Sequence, residues 1–156
     1  MLTEETTVAN EVLHDLIAIH NDRIKGYERA IDELETGNSD LHQLFSSMLE
    51  ESRVLKAALE RSVSAFEDGT AHDHDGTTLG GKLYRAWMDV KATFTGHSRK
   101  AILESCEYGE DKAQDAYQEA LSETTLPIDV RSLLIDQQRT LMVSHNRIKS
   151  LRNTEQ

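Results

Sequence analysis

A chain of 156 residues carrying 28 acidic and 17 Lys/Arg side chains, net charge -11, has room for one ordinary domain and too little chain for two well-cored ones. That charge repels phosphate backbones and anionic lipid, and no local basic patch offsets it, which sets nucleic acid and membrane surfaces aside as partners. One proline, eight glycines and apolar residues at helical spacing favour an all-α protein over a sheet, read as a single domain over residues 1–156.

The chain opens Met1-Leu2-Thr3-Glu4-Glu5, acidic and without the apolar core of a signal peptide, and no later run is long enough to span a bilayer. The expected compartment is the cytoplasm. From there Leu13, Leu16, Ile17, His20, Ile24, Tyr27, Ile31 and Leu34 recur at three- and four-residue steps, one face of an amphipathic helix predicted over roughly 7–36. Gly37 supplies a left-handed stop, and Asn38-Ser39-Asp40 are capping residues for a second helix over 39–66. Its stripe is Leu41, Leu44, Phe45, Met48, Leu55, Leu59, Val63 and Phe66, with Glu51 and Ser52 on the same positions. So short a connection makes the two helices antiparallel neighbours.

Asp68 to Gly81 breaks all periodicity and reads as a loop. Within it His72-Asp73-His74-Asp75 is metal-like in composition, but neighbours in an exposed loop rarely converge without further partners. Leu83, Trp87, Val90 and Phe94 then predict a short helix over 79–95 inside a long crossover. Ser98 caps a third long helix, 98–122, with Ile102, Leu103, Cys106, Glu110, Ala113, Tyr117 and Leu121 inward. Pro127 opens a fourth, 127–152, with Val130, Leu134, Gln137, Leu141, His145 and Ile148 on one side. Cys106, the single cysteine, lies in the apolar stripe and reads as a buried, inert thiol. Two antiparallel hairpins joined by a crossover make a four-helix bundle.

The hairpins also form a weak internal repeat. Gly26-Tyr27-Glu28-Arg29-Ala30-Ile31 lines up with Ala116-Tyr117-Gln118-Glu119-Ala120-Leu121, which sets His20 opposite Glu110. In each segment an inward polar residue precedes an inward tyrosine by seven residues, two helical turns, so both side chains share a face.

Four stretches carry a family resemblance: His20-Asn21-Asp22-Arg23-Ile24-Lys25-Gly26-Tyr27-Glu28; Trp87-Met88-Asp89-Val90-Lys91; Arg99-Lys100-Ala101-Ile102-Leu103-Glu104 running through Glu107, Gly109 and Glu110; and His145-Asn146-Arg147-Ile148. The chain resembles the ferritin-like superfamily, and more closely a bacterial four-helix-bundle family within it catalogued as a domain of unknown function. That resemblance implies a ferritin-like bundle and points to its di-metal position. Such centres take a glutamate from each of two helices and Glu-x-x-His from each of the others, because hard ions want several anionic oxygens at one depth. Glu110 matches on the third helix. His20 stands where the first helix should supply a carboxylate. Glu51 is followed by Val54 in place of histidine, and His145 is preceded by Met142 in place of glutamate.

The candidate metal ligands are therefore Glu110, His145, Glu51 and His20, with iron, manganese or zinc as the possible ions. The competing reading is a hydrogen-bonded polar layer of Glu51, Glu110, His20, His145 and Gln137, with Arg23 or Arg147 nearby. The charged stretch from Asp22 to Arg29 reads as a solvated face. No catalytic triad, phosphate-cradling glycine motif or dinucleotide fingerprint is present. The expected function is a non-enzymatic structural or stress-associated interaction protein with a degenerate metal site, forming a homodimer through the helix bearing Trp87. The alternative is a metal-binding oxidoreductase or metal-storage bundle.

Overall fold

The computed structural model describes residues 4–66 and 98–155, with side chains for 7–63 and 98–155. Those residues form four helices and their connections: α1 (Glu4–Glu33), α2 (Ser39–Phe66), α3 (Arg99–Leu121) and α4 (Ile128–Thr154). The helix expected over 79–95 and the loop histidines lie outside the described residues. Among the described residues no helix is long and apolar enough to cross a membrane.

Each boundary has a local cause. α1 ends at Glu33, three residues before the expected 36, and the chain turns through Gly37 at φ 100. The Asn38 carbonyl accepts the first intrahelical bond of α2, from His42 N–H at 2.9 Å, while its side-chain amide donates back to the Glu35 carbonyl. Ser98 caps α3 as expected, its hydroxyl accepting from Ala101 N–H at 3.1 Å. Pro127 sits one position outside α4, as its N-cap, and its fixed φ of -56 leads into the first turn.

Side-chain pairs give the helix directions. His20 meets Tyr117 and Tyr27 meets Glu110, so α1 and α3 are antiparallel. Tyr117 meets Gln137 and Arg152 meets Glu107, so α3 and α4 are antiparallel as well. Glu51 meets Ser144 while Gln137 reaches the Leu55 carbonyl, which sets α2 antiparallel to α4. α2 and α3 therefore run parallel on the bundle's diagonal, and the ends that residues 67–97 join lie at opposite ends of it. Arg99 marks the lower end. It donates to both Asp40 oxygens at 2.9 and 2.8 Å and to Asn38, and lies 3.4 Å from Glu155. The Arg99 hydrogen bonds hold the Asp40 carboxyl down at about 2.

The core is the set of stripes read from the sequence. Leu13, Leu16, Ile17, Phe45, Leu59, Ile102, Leu103, Cys106, Leu134, Leu141 and Ile148 are all fully buried. Phe45 packs against the Tyr27 ring with centroids 5.6 Å apart. One turn of this frame depends on a residue type rather than on packing. A Cβ at Gly37 would meet nothing within 4 Å, so its positive φ is the whole constraint. Gly37→Ala is expected to lower stability by about 1–2 kcal/mol, with Gly37→Asn milder, as read by urea unfolding.

Candidate functional site

Midway along the bundle the apolar core is interrupted by a layer of polar side chains drawn from all four helices. At its centre is Arg23 of α1, 1% exposed and the largest fully buried side chain among the described residues. A buried guanidinium needs counter-charge and acceptors for its five N–H groups. Nε donates to Glu110 Oε1 at 2.9 Å. Nη1 donates to Ser52 Oγ at 2.8 Å and to the Met48 carbonyl at 3.2 Å. Nη2 donates to Glu51 Oε1 at 3.0 Å and lies 2.8 Å from Glu110 Oε1. The guanidinium carbon also stands 5.2 Å from the Tyr27 ring centroid. Burial alone would favour the neutral form, but the charges of Glu110 and Glu51 outweigh it and push the Arg23 pKa up, so the cation is permanent.

Two glutamates balance it from opposite sides. Glu110 of α3 is fully buried and accepts the Tyr27 hydroxyl at 2.5 Å on the oxygen that holds Arg23. Its Oε2 is buried with no hydrogen-bond partner among the described residues. Glu51 of α2 is 25% exposed and accepts the Ser144 hydroxyl from α4 on Oε1 at 2.9 Å and Oε2 at 3.0 Å. Burial and the Glu110 carboxylate both raise the Tyr27 phenol and the Cys106 thiol well above their usual ranges, so neither ionises. Cys106 is thus the inert buried thiol expected.

From Arg23 a second line of hydrogen bonds crosses the bundle in one direction. Gln137 Nε2 donates to the Leu55 carbonyl at 3.0 Å, which leaves its Oε1 to accept the Tyr117 hydroxyl at 2.6 Å. Having given its proton away, Tyr117 accepts from His20 Nε2–H at 2.7 Å. His20 Nδ1 must then accept, and it takes the Ser52 hydroxyl at 3.0 Å, while Ser52 accepts from Arg23. The chain of donors assigns His20 the neutral Nε2–H tautomer. Burial first, then the charges of Arg23 and Lys56, lower the His20 pKa to about 3.

The structure brings together His20, Glu51 and Glu110 and leaves the fourth metal candidate out. His145 lies at the α3–α4 surface, its Nε2 2.5 Å from Asp111 Oδ1. Ser144, one residue earlier, holds the inward place on α4 and is 5% exposed. One residue is a rotation of about 100° on a helix, enough to turn His145 away from the layer. Arg147 is exposed on the surface, so Arg23 is the cation of the layer. The stretch Asp22 to Arg29 is correspondingly not a solvated face, since Asp22, Arg23, Gly26 and Tyr27 are buried in it. Val54 and Met142, at the two substituted ligand positions, are exposed. Among the described residues no group of three or more His, Cys, Asp or Glu side chains is arranged to hold a metal ion. A di-metal centre does not fit this site, because the volume between its two carboxylates is filled by the Arg23 guanidinium.

Among the described residues, a helical bundle crossed by a cation-centred polar layer is the class of protein that the fold and site define. The chain belongs to the family described as a domain of unknown function (DUF2383), whose model matches residues 8–123. The match takes in Arg23, Glu51 and Glu110 and ends before α4, which supplies Gln137 and Ser144. No curated protein matches the chain.

Removing one partner of a buried ion pair strands the other without solvent. Arg23→Met and Glu110→Leu are each expected to cost about 3–5 kcal/mol, and the double variant less than their sum, in a urea-unfolding double-mutant cycle. Additive losses would mean the pair is not coupled. For pH, the sign follows from His20: its folded pKa of about 3 lies below the ordinary imidazole value of 6.5. The unfolded chain binds a proton that the folded state refuses, so the His20 contribution is complete above pH 6.5 and is lost as pH falls toward 3. Over that window His20→Gln should remove up to about 1.4 kcal/mol per pH unit from the slope of unfolding free energy against pH. Parallel slopes in the two proteins would contradict a neutral buried His20.

Proposed function

We propose that this chain is a ferritin-like bundle in which a resident guanidinium has taken over the metal position, and that it acts as a non-catalytic structural or interaction protein. The observation that carries the reading is the place of Arg23 between Glu51 and Glu110, at the depth where four helices present polar side chains. In a metal-holding bundle the inward carboxylates converge on ions. Here the two that converge do so on an internal monovalent cation covalently part of α1. The pairwise-antiparallel hairpins with α2 and α3 parallel across the diagonal support the ferritin-like assignment, because they call for one connection running the length of the bundle.

The phenols, the thiol and the imidazole of the layer are not set up as nucleophiles or general bases near neutral pH. Tyr27, Tyr117 and Cys106 are all held protonated by burial, and the His20 imidazole has both nitrogens committed. What the arrangement provides is register, since each helix has one depth at which its polar residues find partners.

Elemental analysis after incubation with iron, manganese or zinc tests the reading. The wild-type chain is expected to retain no stoichiometric metal after desalting, whereas Arg23→Ala, which leaves Glu51, Glu110 and His20 facing a vacated volume, should take up a divalent ion and be stabilised by it in thermal unfolding. Stoichiometric metal in the wild type that is lost in Glu110→Ala would overturn the proposal in favour of a metal-dependent protein.

A further inference from the structure

The bundle buries one side of α4 and turns another outward. Of six exposed large apolar side chains among the described residues, four lie on this helix: Ile128 (79%), Ile135 (36%), Met142 (41%) and Val143 (71%). Apolar residues scattered singly over a surface are ordinary. Three of these are instead in register, since Ile128, Ile135 and Met142 recur every seven residues. A seven-residue repeat drifts by about 20° per step around a straight helix, drawing the left-winding stripe along which two helices seat side chains between one another.

We propose that this stripe is the face on which a second copy of the chain docks, α4 against α4, antiparallel, with the two-fold axis passing at Ile135. Two features select a second copy. The stripe maps onto itself under such an axis: Ile135 is midway between the other two, so Ile128 meets Met142 of the second copy and Ile135 meets its own counterpart, as an isologous contact requires. Charge selects the direction. Glu123 and Asp129 lie toward the start of α4, and Arg147 and Lys149 toward its end, while Asp136 and Arg139, close to the axis, stand 3.9 Å apart within one helix. Arg131, the cation of the acidic half, is turned to the Leu121 and Glu123 carbonyls. Antiparallel pairing sets the acidic end of each helix toward the basic end of the other, where parallel pairing would set like against like.

The net charge of α4 differs from that of the other described helices. With two acidic residues against five Lys/Arg, α4 has a net charge of +3, whereas α1 has eight against three, α2 four against three and α3 six against three. Two such helices meeting each carry +3, so net charge does not draw the copies together, and the contact rests on the apolar stripe and on the order of charges along the helix. This contact is separate from the homodimer expected through Trp87, which lies outside the described residues.

The test uses the full chain in light scattering and sedimentation equilibrium over a range of concentration. The mass is expected to rise toward that of two chains, and Ile135→Glu, which sets two carboxylates across the axis, to weaken association by about tenfold or more with the helical circular dichroism unchanged. Oxidative crosslinking reads the register: Ile135→Cys alone forms a disulfide-linked dimer, Ile128→Cys alone does not, and Ile128→Cys with Met142→Cys does. Buried Cys106 does not interfere. A chain monomeric at every concentration, or a dimer that Ile135→Glu leaves unchanged, overturns the proposal.

Discussion

The rest of the structure is arranged around the burial of one guanidinium. An arginine that is 1% exposed is tolerable only if counter-charge and acceptors are brought to it, and no single neighbouring helix can supply them all. Arg23 therefore recruits Met48, Glu51 and Ser52 from α2 and Glu110 from α3, and through Glu51 it reaches Ser144 on α4. Sliding any helix by one turn would part a charge from its partner at about 5.4 Å, while the leucines above and below would find other leucines. Apolar packing gives this bundle its cohesion. The layer makes one alignment of the helices better than its neighbours.

The layer also has an internal symmetry that the sequence repeat anticipates. His20 and Glu110 are equivalent positions of the two hairpins, as are Tyr27 and Tyr117, and in the structure each polar residue bonds the tyrosine of the other helix. Two antiparallel helices with the same two-turn spacing make this exchange by geometry: when one pair is level, so is the other. The two halves have diverged in charge. Where the third helix carries a carboxylate, the first carries an imidazole held neutral, so the cation at the centre faces anions from α2 and α3 rather than from α1 and α3. Ser52 is the joint between the halves, accepting from Arg23 and donating to His20.

The four long helices, their boundaries to within about a turn and most inward positions were legible because they follow from a 3.6-residue period and from capping chemistry, both of which are local. The central residue of the layer was not. Arg23 stands among Asp22, Lys25, Glu28 and Arg29, and charge there reads as solvent-facing unless its angular position is weighed above its type. The angular signal was present: Arg23 falls three residues after His20 and four before Tyr27, on the face those two define. On α4 the error ran the other way. A search for metal-ligand residue types selects His145, and the period through Leu134, Gln137, Leu141 and Ile148 admits Ser144 and His145 equally, one on each flank of the stripe. For Arg23 periodicity located the side chain where residue type did not, and on α4 periodicity left two neighbours open, of which the packing of the other helices turns Ser144 inward.

This ordering bears on what a polar layer can do. A metal ion is exchangeable, and a bundle that depends on one answers to metal supply and to the protonation of its ligands. A guanidinium carried on α1 cannot leave without unfolding the helix that bears it, and it does not titrate in water. The carboxylates that face it are thereby committed to a structural partner, and the neutral His20 is committed by a one-way chain of donors ending at the Leu55 carbonyl. In the reading proposed above, the layer serves register, and interaction falls to the surface. The described surface of this bundle is not uniform: α4, the helix beyond the family match, carries four of the six exposed large apolar side chains among the described residues and a charge opposite to that of the whole chain. The interior holds the four helices in register, and what that rigidity presents outward is α4.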